Sequence, residues 1–199
     1  RLVGRWRGDI KLSTCPPGVS GKVEVARVDE PQPLVLAATD RSSSASEPQQ
    51  VHADDFEGNE LVRELGSRRY YALIIGIDRY KDPSIVTLDR PVADSRKLAE
   101  ILTSHYTFNA RDVTVLENPT RTTIIEHFDA LSEKILPQDQ LLVFYAGHGI
   151  WDEQLNQGFW LPSDASLKSK AQWLSNSTIR DYIGVIRSKH TLLITDACF

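Results

Sequence analysis

Two side chains in this sequence have the types and placement for nucleophilic chemistry, and each stands at the end of an apolar run. His148 closes Leu141-Leu142-Val143-Phe144-Tyr145-Ala146-Gly147-His148-Gly149, and Cys198 closes Leu192-Leu193-Ile194-Thr195-Asp196-Ala197-Cys198. A cysteine attacks as the thiolate, and a neighbouring imidazole is the usual means of forming one near neutral pH. The oxyanion that follows needs paired donors, for which the backbone N–H groups of Gly149 and Cys198 are the candidates. Glycine on both sides of His148 permits a tight turn and close approach of a substrate.

Apart, a strand-end cysteine reads as a small core residue and Gly-His-Gly as a turn. Together, each ending a short continuous apolar segment, they point to catalysis. Such segments suit parallel strands buried on both faces, and in an open α/β sheet chemistry gathers where the carboxyl ends of the strands meet their loops. Two neighbouring strands of this kind bring imidazole and thiol to one rim.

The elements that must hold this rim follow from Tyr70 onward. The expected strands are Tyr70 to Ile77, Val113 to Leu116, Leu141 to Ala146 and Thr191 to Thr195. Between them, helical spacing marks Asp94 to His105 (Leu98, Ile101 and Leu102 inward) and Thr120 to Leu136 (Ile124, Phe128, Leu131 and Ile135 inward). A third helix runs from Thr178 to Arg187, with Ile179, Tyr182, Ile183 and Ile186 inward. Thr123 with Glu126 fits a capping box, Thr120 is an equally good cap, and Ser175 or Asn176 caps the last helix. Strand–helix alternation at this spacing implies a parallel sheet with right-handed crossovers.

The N-terminal third differs. Residues 1–39 hold two strand candidates, Lys22 to Val28 and Pro33 to Ala38, punctuated by Gly and Pro, and read as a small β-rich element with Trp6 as an edge aromatic. Residues 40–69 read as a Ser-rich linker followed by a lead-in helix over Asp54 to Leu65. The catalytic region is then 70–199.

The chain of 199 residues is 41% hydrophobic and 25% charged, with a formal net charge of −4, which suits one good-sized globular domain with an appendage. No basic block suggests nucleic acid, no run approaches the ~20 apolar residues of a membrane span, and the start does not read as a signal peptide. A cytoplasmic protein is therefore expected. Two cysteines, Cys15 and Cys198, imply no disulfide framework, and His52, His105, His127 and His190 show no metal-ligand spacing. The lack of Met and the end at Phe199, directly after the candidate nucleophile, suggest a piece of a longer protein.

Several ordered motifs carry a resemblance. Tyr71-Ala72-Leu73-Ile74-Ile75-Gly76-Ile77, Val92-Ala93-Asp94-Ser95-Arg96-Lys97-Leu98, Tyr145-Ala146-Gly147-His148-Gly149, Trp160-Leu161-Pro162-Ser163-Asp164-Ala165 and Asp196-Ala197-Cys198-Phe199 resemble the large-subunit portion of the caspase-like cysteine peptidases. Among these, bacterial caspase homologues and metacaspases are most similar. The 50 residues from His148 to Cys198 agree with the caspase interval.

The resemblance implies a caspase-like αβα sandwich with a mainly parallel sheet, four of about six strands being present, and a C-terminal small-subunit segment or chain to complete it. It implies a cysteine endopeptidase with His148 and Cys198 catalytic, protein or peptide substrates and no cofactor, calcium activation being carried by the resemblance alone. Caspases proper place glutamine two residues before the cysteine, where this chain has Asp196, and Asp94 falls where metacaspase-like peptidases place a second S1 acid. Two carboxylates in one pocket favour a cation, so the expected P1 residue is Arg or Lys. Arg90 lies in the loop where a caspase-type arginine would be sought and reads as solvated. Trp151, Trp160 and Trp173 read as packing in the loop after His148. The rival readings are a catalytically silent signalling or scaffold module on the same fold, and a separase-like or clostripain-like peptidase of the same clan.

Overall fold

The computed structural model describes residues 68–197, together with the backbone pairing of Ala26–Arg27. The strands are β1 (Ala26–Arg27), β2 (Tyr70–Gly76), β3 (Val113–Glu117), β4 (Gln140–Ala146), β5 (Gly149–Asp152), β6 (Gln157–Trp160), β7 (Leu174–Ser175) and β8 (His190–Asp196). The helices are α1 (Pro91–His105), α2 (Arg121–Lys134) and α3 (Asn176–Val185). The main sheet has the order β1-β8-β4-β2-β3, with β8, β4, β2 and β3 parallel and β1 antiparallel to β8. β1 covers only Leu192 and Leu193 of β8, so the N-terminal segment contributes to this sheet at that point. The remaining features expected over residues 1–67, including Trp6, Cys15, His52, the linker and the lead-in helix, lie outside the described residues, as does Cys198.

Alternation along the two central strands sorts the core into two layers. Tyr71, Leu73, Ile75 and Ile77 with Leu141, Val143 and Tyr145 pack against Ile124 and Phe128 of α2 and Ile179 and Ile183 of α3. The intervening Ala72, Ile74, Leu142 and Phe144 pack against Leu98, Ala99 and Leu102 of α1. Side chains on successive strand residues point to opposite faces, so continuous apolar runs require covering on both, and the helices supply it. The result is the expected αβα sandwich.

Local chemistry sets the helix boundaries. Pro91 opens α1 at a position where its missing N–H is harmless, three residues earlier than expected. Ile101 is 37% exposed rather than inward, because the face that meets the sheet is centred on Leu98 and Leu102. α2 is capped by Thr120, whose side chain accepts from the Thr123 N–H; Thr123 is already inside the helix, and no capping box with Glu126 forms. Ser175 caps α3 in the same way.

The segment after His148 is more ordered than expected. It forms a second, antiparallel sheet, β5-β6-β7, in place of a loop. Asn156, at φ 48°, makes the left-handed turn between β5 and β6. Trp160 lies on β6, fully buried, with its ring stacked on Tyr145 at 4.1 Å and 8°. Trp173 packs with Phe159, Leu161 and Ile85, whereas Trp151 is 48% exposed on β5.

At the opposite end of the sheet from the His148 turn, a buried carboxylate holds three chain segments. Asp139 accepts from the Arg69 N–H and the Leu136 N–H, both at 3.0 Å, while its own carbonyl accepts from the Lys189 N–H. Asp139→Ala leaves two backbone donors unsatisfied, each worth about 1–3 kcal/mol when buried. The expected outcome is a lower melting temperature and urea midpoint with the chemistry at the far rim intact.

Candidate active site

The parallel register sets Gly76, Ala146 and Asp196 level with one another at the carboxyl ends of β2, β4 and β8. β4 and β8 are direct neighbours, and His148 and Cys198 each follow two residues beyond this level in the sequence. The Gly147 N–H donates to the Asp196 carbonyl at 3.3 Å, tying the His148 turn to the end of β8.

His148 is held on several sides. Its Nε2 lies 2.7 Å from the Val86 carbonyl, which can only accept, so Nε2 carries the proton. In the neutral ring Nδ1 is then the lone-pair nitrogen, the one able to take a proton. The backbone N–H donates to the Tyr80 hydroxyl at 2.8 Å, and the Tyr80 ring packs on the imidazole at 5.2 Å between centroids. The His148 carbonyl accepts from the Tyr145 hydroxyl at 2.6 Å and from the Leu161 N–H at 3.0 Å. Burial pushes both tyrosine hydroxyls upward, so they remain protonated and serve as donors as well as acceptors. A Cβ on Gly147 would lie 2.8 Å from the Tyr145 hydroxyl and 3.2 Å from that of Tyr80, so the two phenols leave room only for glycine.

Gly149 begins β5 opposite Trp160. Because Leu161 donates to His148, the His148–Leu161 pair is the hydrogen-bonded one. The next pair, Gly149–Trp160, is then the non-bonded type, and the Gly149 amide points away from β6.

Asp196 is half-buried, and its Oδ1 is fully enclosed with no hydrogen-bond partner among the described residues. Burial raises its pKa above the ordinary carboxylate value, and the charge of Asp94 raises it further. Asp94 itself is exposed in the first turn of α1. The helix reaches this rim because Gly76 has no side chain: a Cβ there would meet Ser95 Oγ at 2.5 Å and the Pro91 carbonyl at 2.6 Å. Arg90 is the residue before α1; its carbonyl accepts from the Asp94 N–H and its side chain is exposed.

The other described histidines have local partners. His105 Nδ1 meets the Ser104 hydroxyl, His127 Nδ1 the Thr123 carbonyl, and His190 Nδ1 the Gln140 side chain. Among the described residues no three His, Cys, Asp or Glu side chains group so as to hold a metal ion, and no helix is long and apolar enough to cross a membrane.

The sequence did not single out the segment 78–90, which presents the Val86 carbonyl. Asn118, at φ 49°, accepts from the Asp78 and Arg79 N–H groups at 2.9 Å each, and Leu88 donates back to the Asp78 carbonyl. Asp82 accepts from the Ser84 N–H at 2.9 Å, the Ser166 hydroxyl at 2.8 Å and the Leu167 N–H at 3.0 Å. The one local signal that could have been read there, and was not, is the Asp82-Pro83-Ser84 turn chemistry, which carries no trace of its distant partners.

Residues 69–199 match the sequence model of the Caspase domain of the C14 peptidases. No curated protein matches the chain. Among solved structures, a crystal structure of a Geobacter sulfurreducens protein is similar with a TM-score of 0.53 and 20% identity, over 65% of this chain and 50% of that one. The structure of pro-sf-caspase-1 is similar with a TM-score of 0.42 and 17% identity, over 58% of this chain and 38% of that one. The chain thus spans half or less of the length of either structure. With the domain matched from the start of β2 through the Asp196-Ala197-Cys198 motif, the chain belongs to the caspase-domain peptidase family.

Proposed function

We propose that this protein is a caspase-type cysteine endopeptidase that cleaves after Arg or Lys, with Cys198 as nucleophile and His148 as proton carrier. The observation that carries the reading is the fixed imidazole: Nε2 is committed to the Val86 carbonyl, leaving Nδ1 as the base at the rim where β4 and β8 end. In the proposed sequence His148 takes the thiol proton, and the Cys198 thiolate attacks the scissile carbonyl carbon. The oxyanion is met by the amides of Gly149 and Cys198. The imidazolium returns its proton to the leaving amine as the C–N bond breaks, giving a thioester. Water, deprotonated by His148, then releases the acid product and the free thiol.

Specificity rests on Asp94 and Asp196. A half-buried carboxylate beside a second acid is a costly pairing for the two acids alone and a favourable one for an incoming guanidinium. The chemistry needs no metal or organic cofactor, and calcium, where it acts, acts on activation. The sheet is completed by a C-terminal small-subunit segment or chain, the working compartment is the cytoplasm, and the substrates are proteins or peptides.

The test uses the complete protein with a fluorogenic Arg-terminated peptide and a thiol-directed peptide probe. Release of fluorophore with the probe attached to Cys198 supports the reading. Attachment to Cys15, or no turnover of any peptide by the complete protein, overturns it.

A further inference from the structure

We infer that Asp82, which touches neither His148 nor the rim, is a positioning residue for His148, acting through the carbonyl of Val86. This rests on the proposed role of His148 as proton carrier, and adds the device that fixes its tautomer.

The segment 78–90 is irregular and mostly exposed, yet it must present one carbonyl to Nε2 at 2.7 Å. Its start is held by Asn118, and its two ends are joined by the Leu88 N–H to Asp78 carbonyl bond. Neither contact fixes the tip. There the Lys81 N–H donates to the Ser163 carbonyl, and the Asp82 carboxylate gathers donors from Ser84, Ser166 and Leu167. The Asp82 carbonyl in turn accepts from the Ile85 N–H, which turns the Ile85 side chain into the cluster with Phe159, Leu161 and Trp173. Val86 is the next residue, so its carbonyl is aimed by the clip and the buried Ile85 before it and by the Leu88–Asp78 bond after it. Ser166 and Leu167 belong to the segment that follows β6, whose Leu161 N–H also donates to the His148 carbonyl. One stretch of chain therefore holds the His148 backbone directly and, through Asp82 and the Val86 carbonyl, its imidazole.

Three donors hold the Asp82 carboxyl down at about 2, so the clip is ionised throughout any working range and loosens only as pH falls toward that value. Its loss by mutation is thus a different event from titration of the imidazole.

The experiment uses the complete protein with 15N-labelled histidine. Long-range 1H–15N spectra distinguish the two neutral tautomers, and the His148 signals are assigned by their absence in His148→Ala. The unmodified protein should show a single Nε2–H form. Asp82→Ala should give mixed tautomers and a kcat at least about tenfold lower with KM within about twofold, since small misplacements of a reacting group cost up to about 10²-fold. Asp82→Asn keeps one acceptor oxygen and should fall between. Ser166→Ala removes a single donor hydroxyl, and should move both readouts in the same direction even where Asp82→Ala fails to fold. Asp139→Ala, at the other end of the sheet, should lower stability and leave the His148 signals in place. A pure Nε2–H signal in both Asp82→Asn and Ser166→Ala with kcat unchanged overturns the inference. Should the tautomers mix as expected while the unmodified protein cleaves no peptide, the proposed function fails and the clip stands.

Discussion

Replacing His148 by alanine should lower kcat on an Arg-terminated peptide by at least about 10²–10⁴-fold, the usual worth of a positioned proton carrier, with KM little changed. Cys198→Ala should remove turnover altogether, because no second nucleophile is expected to take its place. Neither change should unfold the domain. His148 is only partly buried, and its backbone contacts to Tyr80, Tyr145 and Leu161 do not involve the imidazole. The double variant should be no slower than Cys198→Ala alone, since residues that act as one unit are not additive. The measurements are steady-state kinetics beside circular dichroism and thermal melting. Unchanged kcat in a folded His148→Ala protein would remove the dyad from the mechanism.

The same contacts explain what was legible in the sequence. The two central strands, β2 and β4, could be read because each is a short, nearly continuous apolar run, as a strand buried on both faces needs. β3 and β8 were legible from shorter apolar stretches, although β8 is only partly buried and Leu192 is 42% exposed. The end of such a run also located His148, and counting back from Cys198 located Asp196. What escaped was whatever depends on contacts distant in sequence. Val86 works through a carbonyl, which every residue possesses, so no side-chain type marks it. Asp82 and Ser166 are 84 positions apart, and neither is unusual in a loop. The β5-β6-β7 sheet is built on strands of four, four and two residues, too short for alternation to declare itself. The choice between Thr120 and Thr123 as cap depended on where Pro119 and Ser163 pin the chain before α2.

Asp196→Asn should make the folded protein more stable and the enzyme worse, and the pairing of these effects distinguishes a substrate pocket from a structural acid. The sign follows from the direction of the shift. Burial and the neighbouring Asp94 raise the pKa of Asp196 in the folded state, so folding favours its protonated form. Stability from this group is present below the unfolded-state pKa and is lost as pH rises through the folded-state value; at neutral pH the ionised carboxylate is held at a penalty. An uncharged isostere removes that penalty, and melting at neutral pH should rise, with the difference vanishing toward acid. An acid kept for structure would behave in the opposite way, because its partners would be orphaned; Oδ1 has none among the described residues. Binding reverses the balance. A P1 guanidinium brings a compensating charge and a planar fork of donors that an ammonium cannot match, so cleavage after Arg should be at least as fast as after Lys and negligible after Asp. Loss of one buried, charged partner costs on the order of 2–5 kcal/mol, so kcat/KM for Arg substrates should fall at least tenfold in Asp196→Asn. Asp94→Ala should fall less, since that carboxylate is exposed. In the unmodified enzyme, kcat/KM for Arg substrates should decline on acidification at a higher pH than an ordinary carboxylate would dictate. A panel of peptides differing only at P1, run on all three proteins beside their melting curves, decides the matter. Preference for Asp at P1 would transfer the recognition role to Arg90, and a destabilised Asp196→Asn that keeps its preference for Arg would make Asp196 a structural residue.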